Sequence, residues 1–176
     1  DADEAAPIYA EVVALQAPHV DLFLCETMAA ASEAAGAARA AAAAGKPVWV
    51  SWTLAEGPGA WLRSGEPVAA AAAALDGLTV AALLANCSSP ETIGAAMGRP
   101  FGGYANSFAP FDEGHAVGAT VESLAGRTDL DPAAYADHAL AWVAAGAAIV
   151  GGCCETGPAH IAEIARRLRA GGFVAT

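Results

Sequence analysis

Three of the four cysteines in this 176-residue chain stand where chemistry could be done. Cys153 and Cys154 are adjacent. They follow the apolar run Ala147-Ala148-Ile149-Val150 and two glycines, Gly151 and Gly152. A helical pattern, Ile161, Ile164, Ala165 and Leu168, comes next. Thr156 or Gly157 can cap that helix, and Pro158 suits its first turn. The pair therefore sits where a buried strand ends and a helix begins, the junction at which α/β proteins keep their chemistry. The two glycines leave the backbone before the thiols open to close approach. Cys87 repeats the arrangement after the run Val80-Ala81-Ala82-Leu83-Leu84. If both runs are parallel strands of one sheet, Cys87, Cys153 and Cys154 meet at its C-terminal edge. Three thiolates suit a soft tetrahedral ion such as zinc and leave its fourth position open. Catalytic zinc sites keep that position; structural sites close it.

The elements that must position these thiols alternate along the chain. Helices are predicted at 3–17, 29–44, 66–75, 90–97, 131–145 and 158–170. Strands are predicted at 20–25, 48–53, 80–85, 101–106 and 147–151. Ile8, Val12 and Leu15 mark one face of the first helix. Gly45 and Gly77 read as helix stops, and Asp131 before Pro132 as a cap. Residues 54–65 and 107–130 read as irregular. The alternation implies parallel strands with crossover helices, an α/β fold. The strand runs are apolar without clean alternation, as expected when both faces are covered.

Composition narrows the function classes. The net charge of -11 disfavours nucleic acid and anionic membranes as partners. The chain is 56% hydrophobic and only 15% charged, which fits one packed domain and not disorder. Ala139 to Cys154 is uncharged but too short and too broken by glycine to span a bilayer. The start Asp1-Ala2-Asp3-Glu4 does not read as a signal peptide. Adjacent cysteines in a chain of this size point to free thiols in a reducing cytoplasm.

The strand ending Asn86-Cys87-Ser88, followed by Gly151-Gly152-Cys153-Cys154-Glu155-Thr156-Gly157-Pro158-Ala159-His160-Ile161, resembles the zinc-dependent homocysteine S-methyltransferases. That family includes the betaine-dependent enzymes and the homocysteine domain of cobalamin-dependent methionine synthase. Asp21 to Met28 with Glu33-Ala34, Pro47 to Thr53, and Tyr104-Ala105-Asn106-Ser107 match it in the same order. The resemblance implies a (β/α)8 TIM barrel. Residues 1–176 would form the C-terminal portion of the methyltransferase domain, strands four to eight, with the first three strands absent.

The same resemblance implies a site and a reaction. Cys87, Cys153 and Cys154 would hold zinc. Glu26 would hold the ammonium of homocysteine, and Asn106 the substrate or a loop beside the metal; Ser51 is a further strand-end candidate. The expected reaction is methyl transfer to the zinc-activated thiolate of homocysteine, giving methionine. The donor would be a small molecule, foremost a sulfonium such as S-methylmethionine or S-adenosylmethionine. Betaine, or methylfolate by way of cobalamin, are the other donors the family implies. Two positions depart from the family pattern: Ala105 replaces proline, and Glu155 replaces glycine. Cys25 reads as core and His160 as a structural neighbour of the thiols. The alternative is a structural zinc or thiol-redox protein, with Cys25 as a fourth ligand or Cys153-Cys154 as a vicinal disulfide. Missing strands would leave sheet edges open to self-association or to pairing with the absent N-terminal portion.

Overall fold

The computed structural model describes residues 1–96, 101–109 and 124–174. His115 and most of the stretch read as irregular, 107–130, lie outside the described residues. Five strands, β1 (Phe23–Met28), β2 (Val48–Trp52), β3 (Ala82–Asn86), β4 (Phe101–Ala105) and β5 (Val150–Gly152), form one sheet in that order. Every neighbouring pair is parallel. The helices are α1 (Ala2–Gln16), α2 (Ala31–Ala42), α3 (Val68–Ala73), α4 (Pro90–Ala96), α5 (Pro132–Ala144) and α6 (Pro158–Ala170). The sequence alternation is thus realised as an α/β sheet whose strand order equals chain order, the arrangement of a barrel arc.

One face of the sheet packs against the helices. Val48, Val50 and Trp52 of β2 are fully buried there, with Cys25, Ala85 and Ala105 from neighbouring strands. Alanines of α2, Tyr135 and Trp142 of α5, and Ile164 of α6 complete this core. Small side chains let α1 and α2 approach closely. A Cβ on Gly36 would meet Ala5 Cβ at 2.7 Å and the Ala2 carbonyl at 2.9 Å. The apolar stripe expected on α1 is present but uncovered: Ile8 is 68% and Leu15 78% exposed.

The opposite face carries the site. Ser51 pairs with Leu84, Asn86 with Tyr104, and Tyr104 with Gly151. Alternation along each strand turns Ser51, Asn86 and Tyr104 away from the helices. Room on this face is tight at Gly102, where a Cβ would lie 2.6 Å from Leu84 Cδ2 and 2.7 Å from the Ile149 carbonyl.

Two strands differ most from the sequence expectation, the other three by one or two residues at their ends. β1 starts and ends later than 20–25, because its pairing with β2 is broken by an irregularity between Cys25 and Met28 and resumes at Met28. Glu26 therefore stands in a bulge, not at the strand end. β5 begins at Val150 and not at Ala147. The Ala147 amide still bonds the Trp142 carbonyl across the Gly146 turn (φ 105°), so the apolar run starts as a helix cap.

Candidate metal centre

Each thiol is placed by a strand end and latched by backbone bonds. Cys87 follows β3 directly, and its N–H reaches the Tyr104 carbonyl at 3.4 Å. Cys153 follows β5, its N–H donating to the Ala105 carbonyl at 2.9 Å. The Cys154 carbonyl accepts from the Ser107 N–H at 3.0 Å. Thr156 Oγ1 donates to the Cys153 carbonyl at 2.6 Å and closes the turn into α6. A side chain on Gly152 would collide with Thr156, so this turn requires the glycine. The three sulfurs lie within 4.8 Å of one another. Cys87 Sγ is 4.0 Å from Cys154 Sγ, and Cys153 Sγ 3.9 Å from Cys154 Sγ.

Asn86 ties the cluster to the sheet. It is fully buried, and both its donors and its acceptor are used. Its Oδ1 accepts from Ser51 Oγ at 2.7 Å and from the Thr27 N–H at 3.1 Å. Its Nδ2 donates to Thr27 Oγ1 at 2.8 Å and faces Cys153 Sγ at 3.9 Å. Asn106 Nδ2 faces Cys87 Sγ at the same 3.9 Å. Two side-chain amides thus point N–H groups at sulfur, a polarity that favours thiolate.

Strain collects at the same place. Among the described residues, the non-glycine positions at positive φ are Thr27 (61°), Cys87 (49°) and Glu155 (60°). The left-handed conformation costs about 1–2 kcal/mol for an ordinary residue and more for a β-branched one. All three flank the thiol cluster in sequence or through Asn86. Such strain persists only where the surroundings enforce it; for Thr27 the enforcement is its paired bonds to Asn86.

The thiols do not ionise alike. Cys87 is held below the ordinary thiol range, chiefly because Cys153 donates to it, with Asn106 assisting against burial. Cys153 is driven well above that range by the same bond to Cys87, then by burial and by the Cys87 charge. Cys154 is raised by burial and then by the charge of Cys153. One thiolate is therefore comfortable and three are not, unless a cation shares their charge. The donor set, three soft sulfurs with N–H groups directed at them, fits a thiophilic metal.

Other sequence candidates fall into place around this cluster. Glu26 is exposed on the site face, and its charge acts on the Tyr104 phenol. Ser51 meets the cluster only through Asn86. Cys25 is buried on the helix-facing side, where burial raises its thiol to about 11. It does not join the sulfur cluster, so it cannot close the site as a fourth ligand. All four cysteines are free, and no vicinal disulfide joins Cys153 to Cys154. His160 has both ring nitrogens engaged: Nδ1 accepts from the Gly157 N–H at 3.0 Å, and Nε2 faces the Leu130 carbonyl at 3.1 Å. It caps α6, as the structural reading of that residue expected.

A family model described as homocysteine S-methyltransferase matches residues 1–168. The chain belongs to the homocysteine S-methyltransferase family. The homocysteine S-methyltransferase 4 of Zea mays is 33% identical over 135 residues, covering 70% of this chain and 36% of the maize protein. The homocysteine methyltransferase MmuM of Escherichia coli is similar in structure. Its apo form aligns at 29% identity and a TM-score of 0.68, over 93% of this chain and 58% of that one. Its metallated form gives 29% and 0.68, over 92% and 52%. The chain thus spans little more than half of the solved relatives' length and about a third of the maize relative's.

Within this family the expected fold class is met by the described sheet, which aligns with part of the MmuM chain. The glycine that Glu155 replaces has a physical reason, because the position is left-handed. Sequence reasoning gave little weight to Asn86 and no role to Thr27 or Tyr104. The only signal for Asn86 was its place beside Cys87 at a strand end.

Proposed function

We propose that the protein of which these residues form a part transfers a methyl group to homocysteine, giving methionine. We further propose that residues 1–176 are the C-terminal portion of the methyltransferase domain. The observation that carries the reading is the convergence of Cys87, Cys153 and Cys154 within 4.8 Å at the C-terminal edge of the sheet, in a member of this family.

Cys87, Cys153 and Cys154 would hold zinc. When bound, zinc would lower the pKa of an incoming thiol and present it as thiolate near neutral pH. The chain's own residues do the rest. Asn86 and Asn106 aim N–H groups at the cysteine sulfurs and fix their orientation. Ser51 holds the Asn86 amide in the flip that allows this. Glu26 offers a carboxylate on the same face to the substrate ammonium. The substrate sulfur forms the new S–CH3 bond as the methyl leaves its donor. The bonding pair stays on the donor, and the thiol proton goes to solvent. No general base is required.

A sulfonium donor, S-methylmethionine or S-adenosylmethionine, is supported by charge. Beyond Asn106 lies a cavity of about 520 Å³ lined also by Glu56, Glu91, Asp129 and Arg127. Arg127 pairs with Glu91 at 2.8 Å and with Asp129 at 2.6 Å, while Glu56 is held by neutral Ser89 and Thr92. The lining is net acidic and suits a cation. Four free thiols suit a reducing cytoplasm, and the acidic chain does not suit nucleic acid or anionic membranes. No helix among the described residues is long and apolar enough to cross a membrane.

The test is methionine formation by the intact protein from homocysteine and each candidate donor, with zinc and after chelation. Turnover that needs zinc and prefers a sulfonium supports the reading; none with any donor contradicts it. Glu26→Gln is expected to keep zinc and to raise the KM for homocysteine about tenfold or more, since a neutral amide cannot pair with the ammonium. An unchanged KM would make Glu26 a bystander.

A further inference from the structure

The segment between β2 and α3 reads as irregular in sequence, yet it closes on itself as a small antiparallel hairpin. Leu54 and Leu62 pair across it, and both are buried. The Ala55 N–H donates to the Trp61 carbonyl at 2.9 Å, and the Arg63 N–H to the Thr53 carbonyl at 3.4 Å. Gly57 (φ 119°) and Gly59 (φ 98°) turn its tip. This hairpin grips the segment after β3 at three successive residues. The Cys87 carbonyl accepts from Arg63 Nη2 at 3.1 Å and from Thr53 Oγ1 at 3.3 Å. Ser88 Oγ accepts from the Leu54 N–H at 2.8 Å. Glu56 accepts from the Ser89 N–H at 2.8 Å and from Thr92 Oγ1 at 2.7 Å. Cys87 is the one thiol of the cluster at positive φ, a conformation that its surroundings must enforce. Its N–H reaches β4 only at 3.4 Å, so the shorter bonds are those on its carbonyl.

Arg63 is the unusual part of this grip. Its side chain is exposed in a chain of net charge -11. Unlike Arg127 and Arg167, it pairs with no carboxylate among the described residues. Its guanidinium is turned instead to one main-chain carbonyl, that of a proposed metal ligand. A charged donor makes the stronger hydrogen bond, and three thiolates sharing one divalent ion leave a net negative site beside it. We propose that Arg63 is a positioning residue. By bonding the Cys87 carbonyl it fixes the left-handed turn that aims the Cys87 sulfur at the metal, and its charge offsets the excess negative charge of a three-thiolate site. Thr53 cannot replace it, being neutral and more distant. The inference rests on the metal reading of the thiol cluster. It adds that metal affinity is set in part from outside the sheet, by the hairpin that follows β2.

The experiment compares intact wild type with Arg63→Ala and Arg63→Lys. Zinc affinity comes from competition with a colorimetric chelator. Cobalt(II) substitution counts the sulfur ligands through the thiolate charge-transfer absorption, and the Tm of the metal-free protein monitors the fold. Arg63→Ala is expected to weaken zinc binding about tenfold to a hundredfold, the usual cost of removing a group that orients a metal ligand. Its cobalt absorption should fall from a three-thiolate toward a two-thiolate value, with the metal-free Tm unchanged. Arg63→Lys should recover most of the affinity, because the ammonium keeps both the charge and a donor. Wild-type zinc affinity and cobalt absorption in Arg63→Ala would overturn the assignment. So would an Arg63→Lys as weak as Arg63→Ala, or a fall in metal-free Tm that tracks the loss of affinity, which would make Arg63 a structural part of the hairpin. If wild type itself binds no zinc, the metal reading fails and this inference with it. If wild type binds zinc and Arg63→Ala binds it as tightly, only the inference fails.

Discussion

Cys153→Ala in the intact protein is expected to lose stoichiometric zinc and, with it, methyl transfer by more than about a hundredfold. Removal of groups that merely support a metal ligand already costs roughly ten- to a hundredfold. Cys87→Ala and Cys154→Ala should behave alike, because the three sulfurs form one cluster within 4.8 Å. Cys25→Ala is the control. Its thiol is buried among helix-facing core residues, so the change should leave zinc and turnover intact and lower stability by about 1 kcal/mol. Metal analysis beside a methionine assay decides the matter. A fully active Cys153→Ala with one zinc per chain would remove these thiols from the metal site.

The 176-residue chain produced by itself is expected to associate and to turn over poorly, even if its thiols capture zinc. Among the described residues β1 and β5 are the ends of the strand order, so each presents a row of backbone groups without a strand partner there. Apolar side chains add to this: Ile8, Val12, Leu15 and Leu24 are exposed at 68%, 48%, 78% and 40%. Leu24 lies on β1 itself, and with Val12 it lines a groove of about 240 Å³ between α1 and that strand. Size-exclusion chromatography with light scattering gives the mass, and the methyl-transfer assay gives the turnover. A cooperative, fully active monomer of 17.4 kDa would show that the five strands need nothing further.

The thiol cluster was legible because its signal is local. A cysteine after an apolar run, twice, on parallel strands, leaves few arrangements other than convergence at one sheet edge. The helix at 158–170 and the Asp131 cap were legible for the same reason, since proline and cap residues act on their immediate neighbours. Asn86 was not, because its role depends on β2 lying beside β3, and β1 beyond β2, at a register that brings Thr27 and Ser51 to one amide. The bulge at Glu26-Thr27 was hidden for a related reason. Thr27 is β-branched and ill suited to φ 61°, and its two bonds to Asn86 hold it there. Glu155 shows the converse: its sequence position flagged a departure, and the backbone supplied the cause. The start of β5 was misplaced because an apolar run does not reveal that its first residue still caps α5.

Zinc-edge X-ray absorption on the intact protein, before and after homocysteine is added, tests the central claim most directly. Three sulfur neighbours near the usual zinc–thiolate distance of about 2.3 Å are expected in the free protein, and a fourth sulfur once homocysteine binds. Four protein sulfurs from the outset, or no new sulfur on adding homocysteine, would contradict it.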